Sequence, residues 1–127
     1  GAEDLWESVL AALLEGASRA LDIPRDDLGG TLYPYWREAP PGLVLYDNVP
    51  GGAGYVRHVA DHLETVVRAA HRVAADCTCG EETSCYECLR SYYNQRVHDR
   101  LQRSLATKLL GLFLTDEHGS EGPASGE

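Results

Sequence analysis

The chain has 127 residues and a mass of 13.9 kDa, enough for one domain with its own core. At 43% hydrophobic and 24% charged it is neither disordered nor collagen-like in composition, and it has no run of roughly 18 apolar residues to span a membrane. Eleven basic against twenty acidic side chains give a formal charge of −9, which argues against a free-standing DNA binder.

The first helix is predicted from Asp4 to Asp22, with Leu5, Val9, Leu10, Leu13, Leu14, Ala17 and Leu21 at helical spacing and acidic residues in its first turns. Its apolar arc is wide enough to touch two surfaces, one of them expected on a missing part of a longer protein. Ile23-Pro24 ends it. Thr31-Leu32-Tyr33 reads as a short strand cut by Pro34, and Pro40-Pro41-Gly42 as a turn. Leu43 to Tyr46 is the most strand-like run. A loop from Asp47 to Gly54 leads into a second helix, Tyr55 to Ala75. A third helix runs from Leu89 or Tyr92 to Leu114, and residues 115–127 read as a disordered acidic tail. The expected fold class is therefore α+β and helix-dominated: three main helices, a few short strands and a four-cysteine knuckle between the second and third helices. Methionine is absent even at position 1, so the chain reads as a fragment of a longer protein or one with a processed start.

All the cysteines fall in one stretch, Cys77-Thr78-Cys79 and Cys85-Tyr86-Glu87-Cys88. Two close pairs joined by a short polar loop suit tetrahedral coordination of Zn2+ by four thiolates, a closed shell that holds structure and leaves no position for a reacting water. Gly80 is expected to permit the turn that aims amides at sulfur, the start of the third helix to favour the Cys88 thiolate, and Arg72 and Arg90 to offset the site's negative charge. Disulfides or redox chemistry at Cys85/Cys88 are the competing readings. No secretory signal and no preceding strand support them.

Three weaker patterns remain. Gly51, Gly52, Ala53 and Gly54 precede a helix and form a possible anion-binding loop, although the P-loop lysine is missing. Asp47 is then a loop-stapling carboxylate. His58 and His62 sit at the spacing of a helical metalloprotease pair, but Asp61 stands in place of the required glutamate and no third ligand is evident. Arg96, Arg100 and Arg103, bracketed by Arg90, would line one face of the third helix and contact DNA or an acidic partner, unless they pair with the acidic first helix. Residues 89–108 carry five basic and one acidic side chain, against three basic and nine acidic in residues 1–47. Tyr92 and Tyr93 could stack on a base but are expected to pack over the knuckle.

The loop Leu45-Tyr46-Asp47-Asn48-Val49-Pro50-Gly51-Gly52-Ala53-Gly54, together with the cysteine block and the following Leu89-Arg90-Ser91-Tyr92 and Asn94-Gln95, resembles the MrfA-like zinc-binding domain over roughly residues 2–114. The resemblance implies that Cys77, Cys79, Cys85 and Cys88 hold one structural Zn2+. It also implies a non-catalytic appendage to superfamily-two DNA helicases or to the helicase-partner protein of DISARM anti-phage defence. The expected partners are a helicase core in cis or in trans and DNA through the basic third helix, with no membrane, in a prokaryotic cytoplasm at the nucleoid. The chain has no G-x-x-x-x-G-K-[ST] loop, so no nucleotide hydrolysis of that kind is expected from it. The alternative is a small thiol-redox or metal-dependent enzyme.

Overall fold

The computed structural model describes residues 2–33 and 42–125, with side chains described as far as Thr115. In chain order the elements are helix α1 (Ala2–Leu21), a 3₁₀ turn (Arg25–Asp27), strand β1 (Leu28–Leu32), strand β2 (Leu43–Asp47), helices α2 (Tyr55–Asp61) and α3 (Leu63–Asp76), a 3₁₀ segment (Tyr92–Arg100) and helix α4 (Arg103–Ser125). The architecture is helix-dominated α+β with the cysteines following α3, as the sequence predicts. The expected interruption at Pro34 and the turn at Pro40-Pro41 lie outside the described residues.

Helix α1 is the axis of the fold. Val9, Ala11 and Ala12 pack with Val67, Ala70, Val73 and Ala74 of α3, Ala106 and Leu110 of α4, and Cys88 and Leu89 of the cysteine segment. Leu10, Leu14 and Ala17 pack the other way, with Ile23, Leu28, Val59 and Val66. Both surfaces of the wide apolar arc thus pack against elements of this chain. The crossing of α1 with α3 is close because Gly16 has no side chain: a Cβ there would stand 2.5 Å from the Ala70 backbone nitrogen. Burial of small residues at 0% exposure (Ala12, Ala17, Ala70, Ala74) lets backbones approach and dispersion contacts accumulate.

Strands β1 and β2 pair antiparallel from Leu28↔Asp47 to Leu32↔Leu43. Leu28, Leu32, Leu43 and Leu45 face the core, while Val44 and Tyr46 face out. Gly29 and Gly30 serve two neighbours: the Tyr46 ring crosses Gly29, and the Leu10 and Leu14 side chains press against Gly30.

Two predicted helices are interrupted. The second breaks at His62 (φ −130°, ψ 39°), where the backbone N–H reaches back only to Val59 and the imidazole Nδ1 lies 3.0 Å from the His58 carbonyl oxygen. A side chain has taken the carbonyl that an α-helical amide would use. The third does not start near Leu89. Residues 92–100 are 3₁₀ with non-helical Asn94 and Val97, opened by a Ser91–Asn94 capping box, and α-helix begins only at Arg103. Buried Ser8 spans this second break, accepting from the Gln102 N–H (2.9 Å) and donating to the Asp4 carbonyl (2.7 Å). Helix α4 runs on through the stretch predicted as a tail, whose side chains beyond Thr115 lie outside the described residues. No helix among the described residues is long and apolar enough to cross a membrane.

Candidate metal centre

The chain leaves α3 at Asp76, turns through Cys77 and Cys79, loops over residues 80–84 and returns with Cys85 and Cys88 in the turn before Ser91. This brings the four sulfur atoms within 4.8 Å of one another. Cys77 and Cys79 are 3.6 Å apart, Cys77 and Cys85 3.5 Å, Cys79 and Cys88 3.8 Å, and Cys85 and Cys88 3.9 Å. A tetrahedron with Zn–S bonds of about 2.3 Å has sulfur–sulfur edges of about 3.8 Å. The donor set therefore fits one zinc ion. A disulfide would need sulfurs about 2.05 Å apart, and these four gather as a set rather than as two bonded pairs.

Amides surround the sulfurs. Glu87 N–H donates to Cys85 Sγ (3.4 Å) and Cys85 N–H to Cys88 Sγ (3.3 Å). A hydrogen bond from the Cys79 backbone N–H does most to bring the Cys77 thiol down to about 7, and burial pushes Cys88 up to about 12. These numbers describe bare thiols; bound metal holds all four as thiolates. The predicted aids differ in part. The Gly80 carbonyl accepts from Thr83 N–H, and Cys88 lies ahead of the Ser91 cap of the 3₁₀ segment and well before α4, its sulfur receiving the amides of Cys85 and Leu89 instead.

The cation at the site is Arg103. It is 5% exposed at the start of α4, with Nε on the Ala74 carbonyl (2.8 Å), Nη2 on the Ala75 carbonyl (3.0 Å) and Nη1 on the Cys79 carbonyl. One guanidinium thus caps the C-terminus of α3, where a positive charge is favoured, and clamps the first pair of ligands. Arg90 instead donates to Ser84 Oγ (2.9 Å). The sequence places Arg103 on an exposed stripe, and no local pattern marks it as internal.

That basic stripe is not assembled as predicted. With 3₁₀ geometry before Arg103, helical spacing no longer aligns Arg96, Arg100 and Arg103. Arg100 pairs with Glu3 (3.1 Å) and lies 4.0 Å from Asp4 on the acidic first helix, Arg103 is internal, and Arg96 stands exposed near Glu7. Tyr92 and Tyr93 do not cover the knuckle. They are 74% and 49% exposed, and Tyr93 sits beside Arg25 and Asp26. Tyr86 packs edge-on against His98.

The glycine loop already holds an anion of its own chain. The Asp47 carboxylate accepts from the amides of Ala53 (2.7 Å), Gly54 (2.7 Å), Tyr55 (3.2 Å) and Val56 (2.9 Å), which holds its carboxyl below the ordinary range. Gly51, Gly52 and Gly54 all have φ near +79°, so the sequence needs glycine there for the turn. His58 and His62 meet edge-on at 4.7 Å on an exposed surface, and among the described residues only the cysteines bring three or more metal-capable side chains together.

The model of the MrfA Zn-binding domain family matches residues 9–89, which contain all four cysteines. The chain is similar to Druantia protein DruE of Escherichia coli (strain UMEA 4076-1), with 34% identity over 114 residues. That match takes in 85% of this chain but only 6% of that protein's length. No solved structure matches it significantly. With a matching zinc-domain family and a four-sulfur tetrahedron sized for one ion, the chain belongs to the MrfA Zn-binding domain family.

Proposed function

We propose that this chain is a non-catalytic, zinc-stiffened docking domain of a larger anti-phage defence or DNA-repair protein. Its domain proper ends at residue 114 and an acidic tail follows. In this reading it packs on an ATP-driven DNA helicase core, in cis or in trans, in a prokaryotic cytoplasm, and contacts DNA. The observation that carries the reading is the joint at the metal centre. Four cysteines and Arg103 tie the end of α3 to the start of α4, which suits a part whose work is to hold geometry. The likeness to DruE supports a defence setting and a parent much longer than this chain. Leu112 and Phe113, 63% and 44% exposed on α4, offer an apolar surface to such a core.

Cys77, Cys79, Cys85 and Cys88 would hold the zinc, which supplies a fixed tetrahedral node and no open coordination position. The chain's own residues do the rest: amides neutralise sulfur charge, and Arg103 keeps the node in register with both helices. The test is metal content of the purified chain, with circular dichroism before and after chelation. One zinc per chain, with helicity lost on its removal, is expected. A metal-free chain with an unchanged spectrum would sink the reading. In the parent protein, Cys88→Ser should lower DNA-stimulated ATP hydrolysis and leave nucleotide binding intact; unchanged stimulation would argue against docking on a motor.

A further inference from the structure

A cleft of about 210 Å³ lies away from the metal centre, between α1, β1 and the 3₁₀ segment. Glu7, Tyr46, Tyr93 and Arg96 bring the aromatic and charged groups that matter, and residues 29–32 of β1 form one wall. The strand register determines what that wall offers. Tyr33 N–H bonds to the Gly42 carbonyl and Asn48 N–H to the Asp27 carbonyl, so residues 29 and 31 bond across to β2 while residues 28, 30 and 32 direct their backbone groups to the outer edge. Leu28 uses its outward groups on Arg25, its amide meeting the Arg25 carbonyl and its carbonyl accepting from Nη1 (2.8 Å). Gly30 presents an N–H and a C=O with no partner among the described residues, and it carries no side chain of its own.

The other walls are complementary. Tyr46 and Tyr93 are about half exposed, with the Tyr46 ring laid across Gly29. Tyr93 is anchored, its hydroxyl bonded to Asp26 and the Arg25 guanidinium 5.6 Å from its ring centre. Glu7 is half-buried and Arg96 exposed, and neither makes a hydrogen bond among the described residues. Aromatic rings, an adjacent donor and acceptor on backbone, a carboxylate and a guanidinium are what a planar heterocycle bearing a phosphate requires.

We propose that this cleft takes one unstacked nucleobase of a single-stranded nucleic acid. The base lies against Tyr93 and Tyr46, its polar edge meets the Gly30 backbone, its amino group donates to Glu7, and Arg96 holds the neighbouring phosphate. The inference rests on the DNA-contact part of the proposed function and supplies its site. It also explains why an acidic chain leaves Arg96 exposed beside two accessible tyrosines.

The test uses the zinc-loaded chain and a fluorescein-labelled oligodeoxyadenylate of about ten nucleotides, read by polarisation at low salt. Tyr93→Ala and Arg96→Ala, both exposed positions checked by circular dichroism, should each weaken binding about ten-fold. Glu7→Ala should erase any preference for oligodeoxyadenylate over oligodeoxythymidylate, because it removes the acceptor for the adenine amino group and thymine has no amino group to lose. Binding unchanged in both Tyr93→Ala and Arg96→Ala would overturn the cleft while leaving DNA contact elsewhere intact. Absence of binding to either strand would overturn cleft and DNA contact together, leaving zinc-held docking to its own metal test. Competition by AMP as effective as by the oligonucleotide would overturn the single-strand assignment in favour of a free nucleotide.

Discussion

The guanidinium of Arg103 donates Nε to the carbonyl oxygen of Ala74 across 2.8 Å, joining the first residue of α4 to the last turn of α3. Its other two nitrogens reach Ala75 and Cys79, so three carbonyls with no other partner among the described residues depend on one side chain. Arg103→Met would leave all three short of a donor inside the protein, at a cost of about 3 kcal/mol or more. Arg103→Lys should recover only part, because an ammonium cannot reproduce the planar fork. Urea unfolding of the zinc-loaded chain measures both, and zinc affinity should fall in the same order.

Ser8 is fully buried and its hydroxyl is the acceptor for the Gln102 N–H. Ser8→Ala strands that amide where the 3₁₀ segment gives way to α4, costing about 1–3 kcal/mol. Hydrogen exchange at Gln102 should accelerate more than at the buried amides of α3. Equal acceleration everywhere would mean that Ser8 supports the fold only globally.

At the crossing of α1 and α3, substitution of Gly16 sets helix propensity against packing. Alanine gains about 1 kcal/mol of propensity over glycine, but its Cβ would meet the Ala70 backbone at 2.5 Å. Overpacking of this kind costs about 1–3 kcal/mol. Gly16→Ala should therefore be neutral to destabilising and Gly16→Val clearly destabilising, with thermal melting as the readout. A stabilised Gly16→Val would contradict the close crossing.

Asp47 carries a pH signature. Its folded-state pKa is depressed by amide hydrogen bonds, so the stability it contributes is present above the unfolded value and lost as pH falls through the folded one. The difference in urea midpoint between the wild type and Asp47→Asn should be steady above about pH 5 and shrink below about pH 4. Acid release of zinc unfolds both proteins, so the narrowing is read only over the pH range in which both still give a cooperative urea transition. A difference that persists undiminished at the lowest pH would show that the charge is not what closes the loop.

Thiol chemistry separates the four ligands once metal is gone. In the first moments after chelation, before helicity is lost, brief iodoacetamide treatment at about pH 7.5 should label Cys77, brought down to about 7, first and Cys88, pushed up to about 12, last. The zinc-loaded chain should resist labelling. Mass spectrometry of the peptides reads the order, and early labelling of Cys88 would contradict its burial.

The metal centre was legible in the sequence because Cys77 to Cys88 are close along the chain, and local spacing alone brings four sulfurs together. Helix α1 was legible from its periodicity and strand β2 from its apolar run, but β1 was not: it begins at Leu28 and passes through Gly29 and Gly30, three residues ahead of the strand expected at Thr31. The Asp47 staple was foreseen as one of two roles, since the carboxylate and the amides it meets are within nine residues. The broken helices were not. Val97 and Leu101 keep a helical rhythm whether the backbone between them is α or 3₁₀, and the apolar pattern across His62 likewise continues through a break made by a side chain taking a backbone carbonyl.

The sequence by itself determined the elements that depend on neighbours a few residues apart: the four-sulfur node, the glycine turn and the apolar faces of the helices. Only the tertiary structure decided the fate of Arg103, the use of Ser8 by an amide 94 residues away, and the cleft formed where β1 meets the 3₁₀ segment. The physical reason is that charge and polarity in a sequence state what a side chain can bond. Which partner it finds depends on long-range packing, which buries one arginine of a basic run, pairs a second and leaves a third facing solvent.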